Sequence, residues 1–508
     1  MTTLPNIQLA LSQLIRRQIA ALVLAAFVLL LTAHAKAEAP FQANGFKVGE
    51  VDATSAIVWT RLTQRATQNS PQGPTYAMVE EKHEVTPDYP GNHPNPDRWP
   101  IKRRWTKYPA GVTIADVAFA APGIGGETRI GYRSAETLNW KWTQWHPVNE
   151  TKDFTHQFKL SELSPDTKYK VLVESKNEDD KGVTTRGSFR TAAASDDPAK
   201  VVFTVSTGQQ FHHRDNDRGY KVYDGMLPLQ PNFFVHTGDI IYYDLFTTNI
   251  AEARYHWQRT YGLPSNVRFH KKVASYFIKD DHDTWTNDCW PSLKTGFQGT
   301  FTFEQGLGVF REQVPMGDKT YRTVRCGKDF QIWMVEGRDF RSPNTAEDGP
   351  FKTIWGVDQK KWLKETMTKS TATFRILISP TPIVGPDRVK NKHDNHSNID
   401  FKTEGDDVRT FLSSLKNTIV VCGDRHWQYH SVDPKTGLRE YSCGPASDAH
   451  AGGWSKGDFR KDYHRFLKVA GGFLSVTCER QEDEPTLTMK FHSVDGKVRF
   501  ENRLPVRE

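Results

Sequence analysis

The sequence predicts an all-β sandwich followed by an α/β domain, and three observations carry that prediction. Residues 41–193 run as short alternating segments between turn-rich stretches. From 199 to 508, near-continuous apolar runs alternate with helical stretches, the pattern of a sheet covered on both faces. A chain of 508 residues is also too long for one ordinary core.

The N-terminus reads as a signal peptide over residues 1–37. Arg16 and Arg17 precede the apolar run Ile19–Leu31, and small residues follow in AHAKAEA. That run has 13 residues, short of the roughly 20 that a spanning helix needs. The expected product is therefore periplasmic or secreted. The paired arginines suggest twin-arginine export, although the phenylalanine of that consensus is missing. Removing Arg16, Arg17 and Lys36 takes the net charge from +7 to about +4, too little for a nucleic-acid surface. Fourteen Trp and a mean hydropathy of −0.62 exclude a multi-span membrane protein. Five cysteines without CxxC spacing support no disulfide assignment; Cys422, inside an apolar strand, reads as a small buried residue.

In the first domain, SAIVWTRL alternates Ile57 and Trp59 with polar neighbours, and KYKVLVES repeats the pattern. Between them LSPDTKY, with Leu163, Pro165, Thr167 and Tyr169, resembles the tyrosine corner of fibronectin-III and immunoglobulin-like sandwiches. Trp140 and Trp142 share one strand face, more often a core stripe than a sugar platform. The linker AAASDDPAK closes this domain. Beyond it, VVFTVST, NFFVHTGD, SYFIKDDHD, QIWMVEGRD, FRILISPTP and TIVVCGDRH are strands, and DQKKWLKETMTKS and DDVRTFLSSLKN are helices. The tail is antiparallel, with Asp495-Gly496 as a hairpin turn.

Three of these strands end in polar clusters of one kind. HTGDIIYYD carries Asp239, Tyr242 and Tyr243; KDDHDTWTND carries Asp281, His282, Asp283 and Asn287; CGDRHWQYH carries Asp424, His426 and His430. Ligands bind at the carboxyl ends of strands in open α/β sheets. Carboxylates crowded there repel one another and are costly to bury, and cations relieve both problems. Oxygen donors with one or two imidazoles suit iron, manganese, calcium or magnesium better than a structural zinc.

VHTGDIIYYD, DDHDTWTND and CGDRHW resemble the GD-x-x-Y, DDH-x-x-x-x-N and GD-x-H blocks of PhoD-like metallophosphoesterases, the alkaline phosphatase D family of the calcineurin-like superfamily. The resemblance implies a four-layer αββα domain whose multi-metal centre, with calcium and iron, hydrolyses phosphate esters. It implies that Asp239 bridges metals, Tyr242 binds the redox-type ion, Asp281 and Asn287 serve the second metal or the phosphate, and Asp424 and His426 complete the site. His282 falls where the superfamily keeps a histidine that protonates the leaving oxygen. One position departs: VSTGQQF places Gly208 where the family has a Cys ligand to iron, which puts the iron–thiolate centre in doubt and leaves Thr207, Gln209, His212 and His213 as stand-ins.

Arg338 and Arg341, in EGRDFRSPN, are candidate phosphate forks. The polar segment at 385–398 offers Asp394, Asn395 and His396 as substrate or metal contacts. The leading expectation is an exported metal-dependent phosphomonoesterase or phosphodiesterase. The alternatives are a phospholipase D-like or cell-wall phosphodiesterase, and a non-catalytic binding protein on a degenerate scaffold.

Overall fold

A computed structural model describes residues 40–82, 101–178, 181–387, 393–454 and 459–506. The expected signal peptide lies outside these residues, as do 388–392 of the polar loop. Residues 40–508 form one compact unit.

Each apolar run of the second half is a strand. Ala274–Phe277, Phe233–His236 and Val201–Ser206 lie parallel, and Phe473–Gln481, Glu484–His492 and Val498–Pro505 continue that six-stranded sheet antiparallel. A second sheet of seven strands has Phe330–Met334, Phe374–Ser379, Thr418–Cys422 and Arg439–Cys443 parallel at its centre. Alternation along each strand fixes the layers. Phe203, Val205, Phe233 and Val235 meet Ile332, Ile376, Ile378 and Val421 in one core between the sheets. Their alternates face outward: Phe234 packs with helices Lys221–Met226 and Pro264–His270, and Trp333, Leu377 and Val420 with helices Gly356–Lys369 and Lys402–Ser414. The result is αββα, with apolar side chains on both faces of strands such as Phe330–Met334, Phe374–Ser379 and Thr418–Cys422. Each such side chain contributes about 1.5–3 kcal/mol relative to exposure. The Asp495-Gly496 turn joins Glu484–His492 to Val498–Pro505 as expected, with Gly496 at φ 83°.

The N-terminal part is a sandwich of a three-stranded sheet and a five-stranded sheet. Its tyrosine corner is present: the Tyr169 hydroxyl accepts from the Ser164 backbone N–H at 2.8 Å. Trp140 and Trp142 are a correction, since the tryptophans lie at the surface rather than in the core. Arg133 stacks over Trp140 at 5.1 Å and Arg129 over Trp142 at 4.2 Å. The sandwich shares the intersheet core through Phe46, Val48 and Val51. Strand Phe46–Gly49 lies against the edge strand Ala274–Phe277: a Cβ on Gly49 would stand 2.5 Å from the Ser275 carbonyl oxygen. Lys47 Nζ donates to the Gln313 carbonyl at 2.8 Å.

All five cysteines are free and buried, Cys422 among them. Among the described residues, no helix is long and apolar enough to cross a membrane.

Candidate metal centre

The carboxyl ends of the parallel strands of both sheets converge, and the chain is thinned where they touch. A Cβ on Gly423 would lie 2.6 Å from Thr237 Oγ1 and 2.8 Å from Thr207 Oγ1, so only glycine lets the ends of Thr418–Cys422, Phe233–His236 and Val201–Ser206 meet. Just past these ends Asp239 (φ 56°) and Asp424 (φ 63°) adopt the left-handed conformation. Such backbone is uncommon outside glycine, though Asp and Asn tolerate it best, and it concentrates at functional sites.

These turns open on a cavity of about 200 Å³ lined by Asp239, Asp281, His282, Asn287, Asp288, Asp424, His426, Trp427, Gly452 and Gly453. Asp239, Asp281 and His282 each offer one ligand atom, all within 4.8 Å of one another. Tyr242 sits beneath, its hydroxyl donating to Asp239 Oδ2 at 3.2 Å and 3.4 Å from His426 Nε2. Of the residues expected at the site, the structure thus gathers Asp239, Tyr242, Asp281, His282, Asn287, Asp424 and His426.

Burial, above all, holds the Asp239 carboxyl well above the usual range; His282 opposes this, and Asp281, Asp280 and Asp283 reinforce it. Burial likewise raises Asp283 to about 8, against the backbone N–H groups of Asp280 and Ile240 that it accepts from. For His282, burial would lower the pKa, but Asp244, Asp281 and Asp239 outweigh it and raise it to about 10. Its Nδ1 lies 2.9 Å from Asp244 Oδ2, and Nε2 makes no hydrogen bond to a described residue. Asp239 Oδ1 is buried with no hydrogen-bond partner among the described residues. A hard or borderline cation fits this donor set of carboxylates, phenol and imidazole.

Other expected site residues lie elsewhere. Arg338 does not line the cavity: it is sealed in the interior, its Nε donating to Asp280 Oδ1 at 2.6 Å, with Nη2 3.8 Å from Asp281. It neutralises the acids from behind and has no open path to a phosphate. Removing it leaves a buried charge uncompensated, so Arg338→Ala should lower stability by about 3–5 kcal/mol. Denaturant unfolding checks this, and a loss below about 1 kcal/mol would contradict the assignment. Arg341 is buried too, donating to Asn344 Oδ1 at 2.9 Å and to the Asp394 carbonyl. Asn395 is spent on Asp387 at 2.9 Å and His396 on Glu404 at 3.0 Å. Asp387, Asp394, Asn395 and His396 of the polar segment are therefore buried scaffold residues, with Asp387 and Asp394 facing Arg425 at 3.0 and 3.7 Å. His430 stacks on Tyr441 inside its strand, ring centroids 4.3 Å apart.

The sequence did not single out Asp244 or His450. Asp244 reads as an ordinary first-turn acid, yet its Oδ2 also accepts from the Asn287 N–H at 3.3 Å. His450 comes from SDAH, in a three-residue turn, Asp448–His450. Its Nε2 lies 2.6 Å from the Tyr242 hydroxyl and its ring centroid 4.1 Å from that of His426. Of the stand-ins for the absent Cys, Thr207 donates to the Gly238 carbonyl, Gln209 Oε1 accepts from Tyr223, and His212 packs on Phe246.

Two face-packed sheets flanked by helices, with acids and imidazoles where strand ends converge, define a calcineurin-like metallophosphoesterase fold. The sequence model of the PhoD-like phosphatase family matches residues 203–469, just over half of the chain. The chain belongs to the PhoD-like phosphatase family. A solved structure of PhoD superposes with a TM-score of 0.66 at 14% identity, covering 93% of this chain and 90% of that one. The purple acid phosphatase PPD1 from yellow lupin (Lupinus luteus) seeds gives 0.59 at 10% identity, covering 91% and 74%. Both likenesses speak to the fold. No curated protein matches the sequence.

Proposed function

We propose that this phosphoesterase is exported, depends on metal ions and hydrolyses phosphate monoesters or diesters. The observation that supports the reading is the orphaned Asp239 oxygen beside Asp281 and His282 at the mouth of a small polar cavity. Asp239, Tyr242, Asp281, Asn287, Asp424 and His426 would hold the ions, two or more by family resemblance, calcium and iron among them. Bound there, a cation supplies Lewis acidity to phosphoryl oxygens and brings the pKa of a water from about 15.7 to about 7.

The chain's own groups do the rest. His282, anchored at Nδ1 by Asp244, presents Nε2 as the atom that protonates the leaving oxygen. Asn287 offers an amide to the phosphate, its backbone held by the same Asp244 carboxylate. Arg338 keeps Asp280 and Asp281 tolerable in the interior without touching substrate. Export rests on the segment from Arg16 to Ala37.

Metal analysis of the purified full chain, followed by p-nitrophenyl and bis-p-nitrophenyl phosphate assays with each recovered ion, tests the reading. At least one ion per chain and ion-dependent release of p-nitrophenol are expected. A metal-free protein that hydrolyses neither ester with any added ion would overturn it.

A further inference from the structure

We propose that His450 is a metal ligand beside Tyr242 and Asp239, occupying the place that Gly208 leaves without a donor, and that His213 orients it. This rests on the metal-dependent reading above and adds to it a residue that the sequence motifs do not contain.

The geometry starts at Gly208. Its φ of +49° is left-handed, and a Cβ built there would point at the His450 ring, 3.1 Å from Cδ2 and 3.3 Å from Nε2. The volume into which any side chain at 208 would grow is thus filled by an imidazole from a distant turn. That imidazole is buried, 7% exposed, as is Tyr242. Four donor atoms gather at this point. Around the Tyr242 hydroxyl stand His450 Nε2 at 2.6 Å, Asp239 Oδ2 at 3.2 Å and His426 Nε2 at 3.4 Å, and His426 Nε2 is 3.6 Å from the same Asp239 oxygen. Asp239 is 2% exposed, and its second oxygen has no hydrogen-bond partner among the described residues. Two imidazoles and a carboxylate thus surround the one phenol oxygen of Tyr242, and together the four groups carry more lone pairs than they have protons to share. A cation held by Asp239 and Tyr242 would take the His450 Nε2 lone pair as a further ligand, and the proton between Tyr242 and His450 would leave to water.

The other ring nitrogen of His450 supports the assignment. Its Nδ1 lies 2.8 Å from His213 Nδ1. If His450 Nδ1–H donates there, Nε2 is left as a lone pair for the metal, and the ring cannot turn away. Metal-bound histidines are commonly fixed through their second nitrogen in this way, and losing such a partner costs about 10–100-fold in affinity.

The test uses Co(II) as the probe on the full-length chain, with affinity read by equilibrium dialysis and ligand set by the visible absorption spectrum. His450→Ala and His450→Gln should each weaken Co(II) binding by about 100-fold or more and change the spectrum, and His213→Ala should weaken it by about 10-fold. Asp239→Asn separates the two readings, because it should lose Co(II) whether or not His450 is a ligand. Wild-type affinity and spectrum in both His450 variants, with metal lost from Asp239→Asn, would overturn this assignment and leave the metal-dependent reading intact. Wild-type protein that binds no Co(II), or Asp239→Asn that binds it unchanged, would overturn both. Because His213→Ala leaves the buried ring in place, it decides the matter even if neither His450 variant folds; binding and spectrum unchanged in it would count against the proposal.

Discussion

Asp239→Asn is expected to lose bound metal and to slow p-nitrophenyl phosphate hydrolysis by on the order of 10³-fold, the upper range for removing one group that stabilises developing charge. Asn is the informative replacement because it keeps the side-chain shape and accepts the left-handed backbone at φ 56°, where Ala would add strain of its own. The stability change should reverse sign with metal. Without ions, the carboxylate is buried among Asp280, Asp281 and Asp283, and neutralising it should stabilise the fold by about 1–3 kcal/mol, the scale of relieving one buried unsatisfied group. With metal at 1,000 times Kd, the wild type gains about 4 kcal/mol that the variant does not. Thermal melts with and without chelator, alongside metal analysis, measure both halves. A variant with full metal occupancy, or with lower stability in chelator, contradicts the assignment. Asp215→Asn is the control, since that carboxylate caps the Lys221 N–H and lies outside the cavity.

The second large effect concerns His282. General acid catalysis by a positioned side chain is worth about 10²–10⁴-fold, and the need for it grows as the leaving group worsens. His282→Ala should therefore slow an alkyl phosphate by about that factor while p-nitrophenyl phosphate, whose leaving group departs readily, loses far less. Metal content should stay near wild type. The cluster with Asp239 and Asp281 makes the rival role concrete. Equal losses on both esters together with lost metal would make His282 a ligand, and unchanged rates on both would remove it from the chemistry. Asp244→Asn should reproduce a milder version of the same selectivity, because Asp244 holds Nδ1 and touches no substrate.

How much of this was legible in the sequence depends on where each residue's partner lies. The strands were readable because side chains on both faces are largely buried, so that FRILIS and TIVVC show as near-continuous apolar runs. Asp239, Asp281 and Asp424 were readable because each follows such a run within a few residues, and burial of the run fixes where the acid emerges. Arg338, Asn395 and His396 were misassigned for a matching reason. Nothing beside Arg338 in the sequence reveals that Asp280, 58 positions away, takes up its guanidinium, or beside His396 that Glu404 takes up its ring. His450 escaped notice because it stands in a three-residue turn with no apolar run to register it. Only the tertiary meeting with Tyr242 and Gly208 gives it meaning.

The contact between Phe46–Gly49 and Ala274–Phe277 bears on how the polypeptide stays soluble. Ala274–Phe277 is the outermost strand of its sheet, and a naked outer strand offers unpaired N–H and C=O groups to any passing chain. Here Gly49 brings its backbone close enough to cover that flank, while Tyr276 donates its hydroxyl to Val51 on the other side of the seam. The sandwich thus shields a sticky flank only three residues from Asp280. A shortened protein beginning near residue 199 would uncover the flank and expose the aromatic surface of Tyr276, and self-association through that strand is its natural fate.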